Sequence, residues 1–205
     1  MNFELKIFQL IVLIMSAIAH EYMHGWMADR LGDSTAKDEG RLTLNPIPHI
    51  DMFGSIVMPL LLLLSGSSFV FGWAKPVPFN PYNLRDKKFG ISKVAFAGPL
   101  GNLMVAIFFG MILRFAHFGE SALMVKALIE IIVYINLLLM VFNLVPIPPL
   151  DGSKVIMPFL PYNWQMKMAN IERYGMIIVF LFVILAFQFL MPIINLLFKL
   201  IVGYF

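Results

Sequence analysis

A long apolar run that ends in a cluster of ionisable side chains constrains this chain more than any other feature. From Ile7 to Ala19 only Gln9 and Ser16 are polar, and the run passes directly into His20-Glu21-Tyr22-Met23-His24. Such a run predicts a membrane-spanning helix, from about Leu5 to Leu31, closed by Gly32 and Asp33. On a helix, residues four apart lie one above the other, so His20 and His24 can point a ring nitrogen at one metal ion. Glu21 is turned by about 100° from His20, which places its carboxylate beside the ion and not on it. That is the division of labour metal-assisted hydrolysis needs: imidazoles hold the metal and a carboxylate takes a proton from water. The plainer reading is a pair of core histidines. Three ionisable groups so close together in a lipid-buried helix are costly unless they do chemistry.

Composition agrees with a membrane protein. Of 205 residues, 60% are hydrophobic and 13% charged, with a mean hydropathy of +0.84. A soluble domain would carry about a quarter charged residues. The expected fold is an all-α polytopic bundle, since lipid offers the backbone no hydrogen-bond partners. A single domain over residues 1–205 is expected, with its core from 5 to 152, because no polar block is long enough to fold alone. The net charge of +3 reads as orientation in a membrane and not as affinity for nucleic acid. The chain has no cysteine, which leaves His, Asp and Glu as metal ligands. Its start reads as an uncleaved membrane segment, because cleavage would remove the candidate site.

Along the chain, Arg41-Leu42-Thr43-Leu44-Asn45 alternates with period two and predicts a short interfacial strand. Such a strand could pair with an unfolded substrate or lie on lipid headgroups. His49 reads as a solvated loop residue before it reads as a further ligand. Phe53–Phe71 is apolar but barely long enough to span, and Pro59 interrupts it. A proline-rich interfacial stretch follows from Gly72 to Gly90. Apolar segments are then expected at about Ile91–His117 and Leu123–Val145, with Asn102 in need of a partner inside the bundle. Ser153–Arg173 reads as interfacial. A last span, Gly175–Val202, is interrupted by Pro192. The expected total is about four full spans plus one short or re-entrant segment.

Between the last two spans lies Asn143-Leu144-Val145-Pro146-Ile147-Pro148-Pro149-Leu150-Asp151-Gly152. The clustered prolines cannot continue a helix. Unwound backbone at membrane depth is tolerated only inside protein or beside a water-filled cavity. Asp151 on this piece is the natural third ligand, leaving a fourth position on zinc for water. The alternative role for Asp151 is as an N-cap of a helix starting near Ser153.

With these pieces together, the chain resembles the site-2 protease family of intramembrane zinc metalloproteases (peptidase family M50). The matching residues are His20-Glu21-Tyr22-Met23-His24, Ala97-Gly98-Pro99-Leu100-Gly101-Asn102 and Asn143 to Gly152, the last fitting N-x-x-P-x-P-x-L-D-G at every fixed position. The resemblance implies that His20, His24 and Asp151 bind one Zn²⁺. It implies that Glu21 is the general base, and that Asn143 helps hold substrate or stabilises the transition state. It further implies a transmembrane-helix substrate cut within or near the bilayer. The chain fits a compact prokaryotic subgroup without a PDZ or CBS domain. The alternatives are a zinc-holding scaffold without proteolysis and a metal transporter.

Charge predicts the topology. If Phe53–Phe71 re-enters without crossing, most of the 15 Lys and Arg residues fall on one side. The positive-inside rule then puts the N-terminus outside and opens the site toward the cytoplasm, in a prokaryotic inner membrane.

Overall fold

Hydrophobic length decides which helices can span. The computed structural model describes residues 3–65, 74–185 and 187–203. In chain order its helices are α1 (Phe3–Arg30), α2 (Thr35–Asp38), α3 (Met58–Leu64), α4 (Gly90–Phe115), α5 (Leu123–Asn143), α6 (Asp151–Ile156), α7 (Tyr162–Glu172), α8 (Gly175–Leu185) and α9 (Met191–Val202). Among the described residues, α1, α4 and α5 are each long and apolar enough to cross a membrane singly. The fold is thus an all-α polytopic membrane bundle. Side chains such as Ile7, Ile11, Met104, Phe108 and Phe115 are exposed, as lipid-facing positions should be.

Helix α4 is the central element. Within its most apolar stretch 44% of the residues are buried, against 22% for α1 and 28% for α5. Small residues allow this. A Cβ on Gly101 would fall 2.5 Å from Met23 Cγ of α1, and one on Gly110 would fall 2.2 Å from Ile201 Cγ2 of α9. Ala106 and Leu113 of α4, Val133 and Leu137 of α5, and Ile194 of α9 close the main core.

Two expectations change. Residues 41–45 form bends and not a strand. The N–H groups of Arg41 and Leu42 donate to Ala36 O, that of Asn45 to Thr43 Oγ1, and that of Ile47 to Asn45 Oδ1. Local acceptors have taken the donors a ladder would need. Among the described residues there is no strand at all. The last span is interrupted as expected, but not at Pro192. It divides into α8, a 3-10 turn at Phe187–Phe189, and α9. Pro192 lies in the first turn of α9, where a missing N–H costs nothing, so the break falls before the proline. Helices α7 and α8 bend by 92°, and taken as one broken span they would be the fourth crossing.

The stretch from 50 to 74 leaves and returns at one point. Lys75 N–H donates to His49 O at 2.8 Å, and the Arg41 guanidinium donates to Lys75 O at 3.1 Å. Residues 66–73, which include the last part of the Phe53–Phe71 expectation, lie outside the described residues. Beyond it the chain runs extended as a strap from 74 to 80.

The strap is anchored to the end of α1. Asp33, fully buried, accepts from Asn80 N–H at 2.6 Å, from Asn83 Nδ2 at 2.9 Å and from Thr35. Burial alone would push this carboxyl up. The Thr35 hydroxyl, the Asn83 amide and two backbone N–H groups outweigh it and hold it below the usual carboxylate value. A depressed pKa means the stabilisation is present above the unfolded value, near pH 4, and is lost as pH falls through the folded value. Asp33→Asn should lower stability at pH 7 by about 1 to 3 kcal/mol. In thermal unfolding of the detergent-solubilised protein, the gap to wild type should close below about pH 4.

Candidate functional site

Helical spacing brings the first two groups together. His20 Nε2 and His24 Nε2, one turn apart on α1, lie 2.9 Å from each other. The third arrives from the far end of the chain. After α5 ends at Asn143, the Pro146–Pro149 stretch runs through turns, and α6 begins at Asp151. Asp151 Oδ2 lies 3.0 Å from His20 Nε2 and 3.3 Å from His24 Nε2. The N-cap role considered for Asp151 is not used: it is the first residue of α6, and its side chain turns to the histidines.

The protons on the two rings follow from their other partners. His24 Nδ1 lies 2.7 Å from Val94 O, a carbonyl that can only accept. His20 Nδ1 lies 2.6 Å from Asn102 Oδ1. Asn102 Nδ2 is itself committed to Ser16 O and Asn136 Oδ1, so the amide cannot present its nitrogen to the ring. Both imidazoles therefore carry their proton on Nδ1 when neutral, and both Nε2 atoms present lone pairs. Two lone pairs and a carboxylate oxygen within 3.3 Å repel unless a cation lies between them. Ligands about 2.0 Å from a tetrahedral zinc sit about 3.3 Å apart. The donor set and its size fit a divalent metal.

Glu21 stands beside this triangle. One of its oxygens lies within 4.8 Å of a nitrogen on each ring, and Oε2 accepts from Val77 N–H at 2.8 Å. Pro76 and Pro78 have no N–H, so Val77 is the sole donor across 76–78, and it is committed to Glu21. The strap is therefore a fixed wall at this point and not a free edge for strand pairing.

The site opens into a cleft of about 310 Å³, lined by His20, Glu21, His24, Val77, Asn143 and Lys154 among others. Asn143 holds its orientation by donating to Leu139 O at 2.9 Å. His49 is elsewhere. It is neither solvated nor near the triangle but buried, with its Nε2 2.9 Å from Thr43 O.

Gly98, noted in the sequence only as part of the Ala97–Asn102 match, lies directly against the two rings. A Cβ there would fall 2.4 Å from His24 Nε2 and 2.6 Å from His20 Nε2. Its hydrogen is the floor of the site. Gly152 is constrained too, since a Cβ would fall 2.2 Å from Leu144 O and would push apart the turn that delivers Asp151.

The fold and this centre define a class: an integral membrane protein with a metallopeptidase-type centre set among its helices. The model for "Peptidase family M50" matches residues 110–187, which include Asn143 and Asp151. A Bacillus subtilis protein named "Putative zinc metalloprotease YwhC" is 40% identical over 174 residues, covering 82% of this chain and 76% of that protein. Rip2 of Mycolicibacterium smegmatis, under the same description, is 30% identical over 81% of this chain and 62% of its own length. MJ0611 of Methanocaldococcus jannaschii, again so described, is 30% identical over 77% of this chain and 76% of its own length. No solved structure matches. The chain belongs to peptidase family M50, the zinc metalloproteases of site-2 protease type.

Gly98→Ala should weaken Zn²⁺ or Co²⁺ uptake by at least about tenfold, the scale of disturbing a metal's surroundings. Isothermal titration or the Co²⁺ absorption spectrum reads this directly. Unfolding of the metal-free protein should shift by no more than about 1 to 3 kcal/mol, the usual scale of overpacking, because the two rings must move to admit the Cβ.

Proposed function

We propose that this chain, as one catalytic unit over residues 1–205, hydrolyses peptide bonds of transmembrane-helix substrates within or near the bilayer. The observation that carries the reading is the convergence of His20, His24 and Asp151 beside Glu21, about 15 Å along α1 from its end at Arg30. That distance is about half of a hydrocarbon core.

In this reading His20, His24 and Asp151 hold one Zn²⁺. Bound there, zinc supplies Lewis acidity to the scissile carbonyl and to water. Glu21 is the general base. Val77 N–H holds its Oε2, so the other oxygen is free to take the proton of the attacking water and return it to the leaving nitrogen. Asn143, at the cleft wall, faces the substrate carbonyl and supports the charge that develops there. A helical peptide bond is hydrogen-bonded and shielded, so the substrate must unwind to enter. Helix-weakening residues in it should favour cutting.

Glu21→Gln separates this function from a scaffold or a transporter. The variant should retain zinc while peptide cleavage falls by about 10² to 10⁴-fold. Membrane-peptide proteomics of cells carrying it should show uncut substrates absent from wild type. Unchanged peptide profiles would count against proteolysis.

The orientation proposed is N-terminus outside, with the cleft toward the cytoplasm of a prokaryotic inner membrane. The native chain has no cysteine, which makes the test direct. Cysteines placed at Ser34 and Lys87 should label from the cytoplasmic side, and one at His117 from the other. Labelling of the first two from opposite sides would overturn the topology.

A further inference from the structure

Helices α1, α4 and α5 meet in a chain of buried polar groups that continues past the Asn102–His20 contact, and the hydrolytic reading leaves its far end, Asn136, without a role. Asn102 and Asn136 are fully buried and Ser16 nearly so. In lipid-facing helices such groups need a reason.

The chain has a direction. Asn136 Nδ2 donates to Ile132 O and to Ser16 Oγ, both at 2.9 Å. Ile132 O is a carbonyl and can only accept, so the nitrogen of this amide must face it. That leaves Asn136 Oδ1 to accept from Asn102 Nδ2 at 3.0 Å. The second Asn102 proton goes to Ser16 O at 3.1 Å, again a carbonyl. Asn102 Oδ1 is then the only atom of its amide left for His20 Nδ1, at 2.6 Å. Every N–H of both amides is used, and each use fixes the next.

We infer that Asn136, which lies two hydrogen bonds from His20 and touches no atom of the metal triangle, is a positioning residue that sets the tautomer of His20. This inference rests on the metal reading above. Two backbone carbonyls, Ile132 O and Ser16 O, orient two amides, and these keep the His20 proton on Nδ1. The Nε2 lone pair is thereby held toward His24 and Asp151 before any ion arrives. His24 needs no such chain, because Val94 O holds its Nδ1 directly. Losing Asn136 thus affects one ligand of the three. Asn102 keeps its bond to Ser16 O but loses the partner of its other proton, so one of the two bonds that hold its amide in this orientation is gone and the turned amide becomes accessible. A turned amide offers N–H to His20 Nδ1, which moves the ring proton to Nε2 and blocks the metal.

The test uses the full chain in detergent. Asn136→Leu, close in volume, should weaken Zn²⁺ affinity by about 10- to 100-fold. Ser16→Ala should weaken it less than the leucine variant, since Asn136 Nδ2 keeps Ile132 O and the order of the amides survives. Val133→Ala, in the α5 core, should lower thermal stability with affinity unchanged. An Asn136→Leu protein that loses stability but binds Zn²⁺ as tightly as wild type would overturn the inference. A second measurement does not depend on any variant folding. In ¹⁵N-histidine spectra of metal-free wild type, at a pH where all imidazoles are neutral, His20 should carry its proton on Nδ1, and a proton on Nε2 would overturn the inference. Failure of wild type to bind Zn²⁺ at all would instead strike the metal reading.

Discussion

Two imidazole lone pairs and a carboxylate oxygen, held within 3.3 Å of one another, form an arrangement that repels itself. In a medium of low dielectric that repulsion is large, and so is the attraction of the three for a cation. Much of the fold serves to impose this contact. Helix α1 supplies two groups through its own pitch. The proline stretch after α5 stops one helix and starts another so that Asp151 faces back into the bundle. Helix α4 presents a glycine where any side chain would fill the space between the rings. None of these elements gains from the contact alone, which is why the buried apolar packing of α4 with α1, α5 and α9 has to hold them there.

A second set of contacts fixes the wall opposite the ligands. Asp33 binds the turn at 80–83 to the end of α1, and His49 O with Lys75 N–H closes the base of the excursion before it. Between these anchors the strap has little freedom, and prolines at 76 and 78 reduce it further. Its one donor in that stretch meets Glu21. Glu21 is therefore oriented by a segment that is itself anchored at the end of α1.

The parts legible in the sequence were those whose physics is local. Helical periodicity put His20 and His24 on one face, and the prolines from 146 to 149 announced a break at the right place. The strand at 41–45 was misread because alternation says nothing of where the N–H groups go, and here Ala36 and two side chains take them. The break in the last span was expected at Pro192 but falls before it, because a proline fits the first turn of a helix. The amide chain was only half legible. Asn102 evidently needed a partner, but nothing local named Asn136. A trace existed: Ser16 lies four residues before His20 and so shares its face of α1. A polar residue one turn from a candidate ligand is worth weighing as its support before it is read as packing.

The proposed hydrolysis inside a bilayer would need water at a site that the surrounding helices keep dry, and the surroundings of the triangle differ by direction. Toward α4 and α5 the triangle is backed by the two amides, Gly98 and the apolar core, where every polar hydrogen of the amides is committed. Toward α6 and the strap it opens into the cleft lined by Glu21, Asn143 and Lys154. Ionisable and amide groups on that wall hold water that apolar walls would shed. In the proposed reaction, water and an unwound peptide would approach through this cleft, since helices close the opposite side of the triangle. The same asymmetry sets Glu21 between the cleft and the triangle, which is the position its proposed role as proton carrier requires.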